Sequence, residues 1–295
     1  MINAYKGEEV MEILNSWLLY VILYLILATT FTQFYKIATK TLQKTGALTV
    51  LLEILAGLTA LLLCPFFEFK FPTDISVYIM LGISIIFYTI KDRLSTKVMS
   101  GVEASTFNIL QQLSTTFMVF AGLIFFKEEF VITKFIGAML IIFSNILIFY
   151  KKGKFEFNKY ILLGILSNLS YTIALFLDVN NSESFNLSFY VATTLIIPAL
   201  LIMIFERIKP SDIKNELING NKKAITITAL SWGTMIVVLL RAYQLGNVTI
   251  VAPLCSLTVM LNVIVGYLFL KERDNLLRKI ISAILIILSI VLIKI

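Results

Sequence analysis

The sequence predicts an all-α polytopic membrane protein, with ten transmembrane helices arranged as two inverted five-helix repeats. Three observations carry that prediction. Of 295 residues, 59% are hydrophobic and only 15% charged, whereas soluble domains are roughly 45–50% apolar and ~25% charged. Ten apolar stretches follow one another along the chain, each near the ~20 residues that a helix needs to cross a bilayer. Finally, GLIFFKEE at 122–129 returns as GYLFLKER at 266–273. A membrane barrel is excluded, because its strands would be shorter and would alternate polar with apolar residues.

The elements can be justified in order. Residues 1–16, MINAYKGEEVMEILNS, are acidic and form a tail. A cleaved signal peptide would need a basic start, so the first span is expected to stay. That span, 17–35, carries Thr29 and Gln33 and is followed by Lys36. The second, 46–67, contains Glu53. The third, 74–91, places Ser84, Tyr88 and Lys91 on one face. In the fourth, 102–126, Ala104, Asn108, Gln111, Thr115, Met118 and Gly122 recur at steps of three and four, which is one face of a continuous helix. Gln112 and Thr116 extend it. The fifth span is 131–150.

After a basic linker at 151–159, the sixth span, 160–178, holds Asn168, Tyr171 and Asp178. The seventh is 185–205. The eighth, 224–241, carries Ser231, Trp232, Thr234 and Arg241. The ninth, 247–270, has Ala252, Cys255, Thr258, Asn262 and Gly266, with Pro253 near its start as a candidate break. The tenth is 276–293. Glu53, Glu103 and Asp178 are candidate proton carriers, but they lie near span ends in this reading, where solvation is the preferred account. Lys91 and Arg241 also lie near span ends and are expected to snorkel to the headgroups.

The two charged clusters explain the repeat. Glu128 and Glu272 are 272 − 128 = 144 residues apart, and Leu113 with Leu257, Gly122 with Gly266 and Lys127 with Lys271 share that offset. Each cluster precedes the last span of its unit. The units are therefore 17–150 and 160–295, and an odd number of spans in each makes them inverted. Of 25 Lys and Arg, six (Lys6, Lys70, Lys127, Lys134, Arg241 and Lys294) fall in even-numbered loops and tails, leaving 25 − 6 = 19 in odd-numbered loops. Basic loops favour the cytoplasm, so charge places both termini outside. The same rule accounts for the net charge of +7 without nucleic acid as a partner.

Several chemistries are absent. With no histidine in the chain, zinc-protease motifs and Ser-His hydrolysis are excluded. No phosphate-binding loop occurs that would supply an ATPase engine. Cys64 and Cys255 imply neither a disulfide framework nor a metal site. KEE at 127–129 is the nearest thing to a paired acidic motif, and it sits at a span boundary. No catalytic residue, metal or cofactor is expected, and an enzyme is not the reading.

The second unit, RAYQLGNVTIVAPLCSLTVMLNVIVGYLFLKERDNLLRKIISAILIILSIVLI from Arg241, resembles the drug/metabolite transporter superfamily, EamA type. The carrying features are an Ala-aromatic pair, a small-residue turn, a long span, the Lys-Glu-Arg boundary and a last span. The first unit departs from it, with Glu129 where Arg273 stands and KVMSGVEAS in place of RAYQLGNVT. The resemblance implies that spans 1, 3, 4, 6, 8 and 9 line a cavity and that 5 and 10 pack outside. It also implies both termini in the cytoplasm, against the charge count. The expected function is secondary transport, by default export, of a small polar or amphipathic metabolite such as an amino acid, by alternating access in the cell membrane.

Polar side chains at bilayer depth usually face a bundle interior or a watery path. On that ground the candidate substrate-binding residues are Gln33, Tyr88, Asn108, Gln111, Thr115, Asn168, Tyr171, Trp232, Arg241 and Asn262. The same residues also fit a helix-packing stripe. Tyr88, Tyr171, Trp232 and Tyr243 would suit a cation, so import of a cationic or amphipathic compound is the second reading. A transport-inactive scaffold or sensor is the third. Expected partners are the lipid bilayer and a small molecule, with a homodimer left open. Glu272 is expected at an exposed boundary, in a pair worth only ~0–1 kcal/mol.

Overall fold

The computed structural model describes residues 16–117, 120, 131–151, 154–155, 159–246, 251 and 254–294. Among them the first half contributes α1 (Trp17–Lys40), α2 (Thr45–Leu62), α3 (Ile75–Gly101), α4 (Ala104–Gln111) and α5 (Ile132–Phe149). A two-residue antiparallel pair follows, β1 (Tyr150–Lys151) with β2 (Lys154–Phe155). The second half contributes α6 (Lys159–Asn181), α7 (Leu187–Phe205), α8 (Pro210–Asn219), α9 (Lys222–Leu245), α10 (Thr258–Phe269) and α11 (Leu276–Lys294). Seven described helices are long and apolar enough to cross a membrane, so the protein is a helical, multi-pass membrane protein. Both GLIFFKEE and Pro253 lie outside the described residues, as do Met118 and Ala252.

The helix starts follow from their caps. Asp74 accepts from the Ser76 backbone N–H at 2.9 Å and opens α3. Asn221 accepts from Ala224 N–H at 3.0 Å and opens α9. Asn186 does more, because its oxygen accepts from Phe189 N–H while its amide nitrogen donates to the carbonyls of Cys64, Phe67 and Glu68. One side chain thus both starts α7 and closes the end of α2. A cap of this kind contributes about 1 kcal/mol.

The main interfaces join the two halves. α1 packs along α9, α3 along α6, α2 along α7, and α5 along α11. On the last pair Ser144 and Ser282 exchange hydroxyl-to-carbonyl hydrogen bonds at 3.0 Å each. Large apolar side chains face outwards, among them Ile26, Leu62, Phe205 and Phe269. Many polar ones face inwards, including Thr49, Ser84, Thr96, Asn168 and Asn262. This is the pattern expected where the surrounding solvent is lipid.

Three expectations change. The fourth span is not one continuous helix: α4 ends at Gln111, Gln112 forms a turn, and helix resumes over 113–117. The face drawn from Asn108 to Thr115 assumed an unbroken helix and is interrupted there. The ninth span breaks likewise, at 256–257, before α10. Third, α3 runs ten residues beyond Lys91, so Lys91, Asp92 and Arg93 are interior to a helix and not at its end. Hydropathy fell at these charges, but the backbone continues because each finds a partner inside the protein.

At one end of the bundle, α8 docks on the turn between α1 and α2. The Glu216 carboxylate accepts the backbone N–H of Gln43 at 2.8 Å and also that of Lys44. Burial pushes the Glu216 carboxyl above its ordinary range, with the two N–H donors opposing that shift. Lys44 also pairs with Asp212 at 2.9 Å.

Candidate functional site

Helix α3 organises the interior because consecutive residues leave a helix about 100° apart. The segment KDRLST at 91–96 therefore reaches several neighbours at once. Lys91 points between α6 and α9, with its ammonium 5.4 Å from the rings of Tyr171 and Trp232 and 6.0 Å from that of Tyr88. It also pairs with Asp92 at 2.5 Å. Arg93 pairs with Glu206 at 2.5 Å and donates to Thr45 at 3.1 Å. Ser95 meets Ser167 of α6 at 2.9 Å.

Asp92 and Thr96 are one turn apart and face α2, where Thr49 and Glu53 are also one turn apart. The Thr96 hydroxyl meets that of Tyr35 at 2.6 Å and receives that of Thr49 at 2.8 Å. Glu53 lies at the middle of α2, fully buried, and neither carboxylate oxygen has a hydrogen-bond donor. Solvation near a span end does not apply to it. Asp178 is also buried, and it is surrounded instead: Ser84 donates at 2.6 Å, Tyr88 at 2.7 Å and Tyr190 at 2.5 Å.

Of the candidate residues, Tyr88, Tyr171 and Trp232 converge, and the cation they hold is Lys91 of the chain itself. Lys91 does not snorkel. Gln33 and Asn262 form a second group, joined at 2.9 Å across α1 and α10 and both buried. Asn168 is buried on α6 and donates to the Gly164 carbonyl at 2.7 Å. One turn on, Thr172 reaches the Ser114 carbonyl at 3.2 Å. That brings α6 beside the interrupted segment with Gln111 and Thr115. Asn108 keeps a buried side-chain oxygen with no partner. Arg241 stands apart near the other end of the bundle, contacting Gln244 at 3.3 Å. It lines a pocket with Glu68, Lys70, Glu183 and Phe185.

The boundary glutamate is the largest departure from expectation. Glu272 is 7% exposed and reaches across to the first half. It accepts from Ala104 N–H at 2.7 Å, from Ser105 N–H at 3.2 Å and from the Ser105 hydroxyl. These are unpaired donors of the α4 N-terminus, where a carboxylate also meets the positive end of the helix dipole. Lys279 lies 3.6 Å from Glu272 and pairs with Glu103. Lys271 adopts the left-handed backbone region, with φ of 58°, and so turns Glu272 back towards α4. Gly266 leaves the room: a β-carbon there would lie 2.8 Å from the Glu272 carboxylate.

The sequence reading missed Asp92, Thr49, Thr96, Tyr35 and Lys279. Glu53, the lone charged residue in the eighteen of α2, is among the candidate proton carriers, since an ionisable group inside an apolar span is a functional candidate by default, but the sequence reading places it near a span end and not at the helix centre.

Comparison with known proteins agrees with this architecture. No curated protein matches the chain. A solved structure described only as the crystal structure of a protein matches over 93% of this chain and 94% of its own, with 13% identity and a TM-score of 0.55. At that identity it establishes the fold alone. The pattern of a known family of membrane transporters matches residues 158–295, which begin at the last residues of the linker and take in every span of the second half. That pattern is that of the EamA-like transporter family, to which the second half of the chain is similar.

Proposed function

We propose that the protein is a ten-span secondary transporter that moves a small polar or amphipathic metabolite, such as an amino acid, across the cell membrane by alternating access. Export is the default direction. The observation that carries this reading is the buried polar interior around Lys91, built on helices of both halves of a chain whose second half is similar to a transporter family. A scaffold has no use for a charged centre that costs several kcal/mol to bury.

The two-unit organisation, 17–150 and 160–295, has support in the packing. Exchanging the halves turns the α1–α9 interface into the α6–α3 interface and leaves α2–α7 and α5–α11 unchanged. The interruptions at Gln112 and Ser256 are also 256 − 112 = 144 residues apart. Broken helices at equivalent places in two repeats are how many transporters expose backbone to substrate. Asn108, with an unpartnered oxygen beside one break, is the leading binding residue, with Gln111 one turn on. The basic loops place the termini outside the cytoplasm in this proposal.

Import of a cation is the weaker reading, because Lys91 already fills the aromatic site. The test is a metabolite screen by thermal shift on the purified protein, followed by flux in vesicles. Gln111→Ala and Asn108→Ala should each weaken transport at least tenfold, the effect of losing about 1.5–3 kcal/mol of hydrogen bonding to a charged group. Unchanged rate and affinity in both would make the fourth span a packing element.

A further inference from the structure

Glu53 is fully buried at the centre of α2, and no donor reaches either of its oxygens. Glu53 and Asp92 each lie one turn from the Thr49–Thr96 hydrogen bond of 2.8 Å that joins α2 to α3, and among the described residues the charged groups acting on Glu53 are Asp92, Lys91 and Arg93 of α3. Asp92 is paired with Lys91 at 2.5 Å and Arg93 with Glu206 at 2.5 Å, so each cation already has an anion. From α1 the Tyr35 hydroxyl is engaged with Thr96 at 2.6 Å. On α7 the titratable group is Tyr190, bound to Asp178. On α9 the charges, Lys222, Lys223 and Arg241, sit near the two ends of the helix. Glu216 of α8 is taken by backbone N–H groups. The cluster therefore sums to one uncompensated carboxyl, and that carboxyl faces another.

Two facing carboxyls in a water-poor interior cannot both stay ionised; one takes a proton and donates it to the other. The geometry points to a single proton shared by Glu53 and Asp92, and to its exchange as the coupling step of transport. A metal ion fits the place poorly, since Lys91 occupies the Asp92 oxygen that would bind it and would repel it. The shared proton makes the whole cluster neutral. Its release leaves a net negative charge that only incoming water can solvate, so the proton leaves when the interior opens. The coupling half of this inference rests on the transport reading above; the proton site itself does not.

The experiment is infrared difference spectroscopy of the purified protein in lipid discs, titrated from alkaline to acidic pH. A carbonyl band of a buried, protonated carboxyl is expected, and Glu53→Gln should remove it. Asp92→Asn frees Lys91 to pair with Glu53, and should move the band about 1–3 pH units to the acid side. Absence of the band in the native protein, or a band unchanged in both variants, overturns the site. If Glu53→Gln does not fold, the native spectrum and Asp92→Asn decide. Coupling is read without a substrate by labelling Glu183→Cys, at the mouth of the Arg241 pocket, in a background lacking Cys64 and Cys255. Labelling by a membrane-impermeant maleimide should change with pH and lose that dependence in Glu53→Gln. Labelling independent of pH overturns the coupling while leaving the band. Failure of metabolite flux alone counts against transport.

Discussion

Asp178 and Glu53 are both carboxyls buried among helices, but their surroundings are opposite. Asp178 is met by three hydroxyl donors from two helices, whereas Glu53 is met by none. Three oriented hydroxyls hold the Asp178 carboxyl in place and tie α3, α6 and α7 together. Glu53 has no such support. Burial by itself therefore separates nothing; the donors around an acid separate a structural group from a chemical one.

The comparison can be broken most directly at Asp178. Asp178→Ala leaves the hydroxyls of Tyr88 and Tyr190 without that acceptor, while Ser84 keeps the Ala174 carbonyl at 3.3 Å, and each buried unsatisfied group costs about 1–3 kcal/mol. A loss of about 3 kcal/mol or more is expected, measured by reversible unfolding in mixed micelles. A variant as stable as the parent would show that the hydroxyls have other partners.

Glu272 gives an intermediate case, a buried acid with backbone donors. Glu272→Ala uncaps α4 and leaves Lys279 with Glu103 alone. A loss of about 1–3 kcal/mol is expected, several times what an exposed boundary pair contributes. Gly266→Ala should imitate it by crowding the carboxylate, and the same unfolding assay checks both. A loss below about 0.5 kcal/mol in both would return Glu272 to the exposed class.

The smallest effect is expected at Glu53. Glu53→Gln replaces a carboxyl that has no donors with an amide that can donate to Asp92, so stability should change by less than about 1 kcal/mol. A loss comparable with that of Asp178→Ala would erase the distinction between the two acids.

The membrane class was legible because composition and span length depend on each residue's own hydropathy. Legibility failed where partners are distant in sequence. The KDR triplet looked like the end of a span, since nothing local reveals that Tyr171, Trp232 and Thr45 wait for it. Tyr88, Tyr171 and Trp232 were recognisable as a cation site, but its occupant was the adjacent Lys91. The break at Gln112 was also invisible, because no proline or glycine marks it. Glu272 was noticed for its repeat and misread as exposed; its ligands, Ala104 and Ser105, lie in the opposite half.

The Glu272 cap also sets an order of assembly. Ala104 emerges from the ribosome 168 residues before the carboxylate that accepts its N–H. At roughly 5–20 residues per second, the α4 N-terminus waits on the order of ten to thirty seconds for its partner. During that interval the helices of the first half can be inserted but not finished, with the backbone donors of Ala104 and Ser105 still without the Glu272 carboxylate. Synthesis of the segment between α10 and α11 then acts as a latch on α4, so truncation before Glu272 would be felt in the first half of the chain.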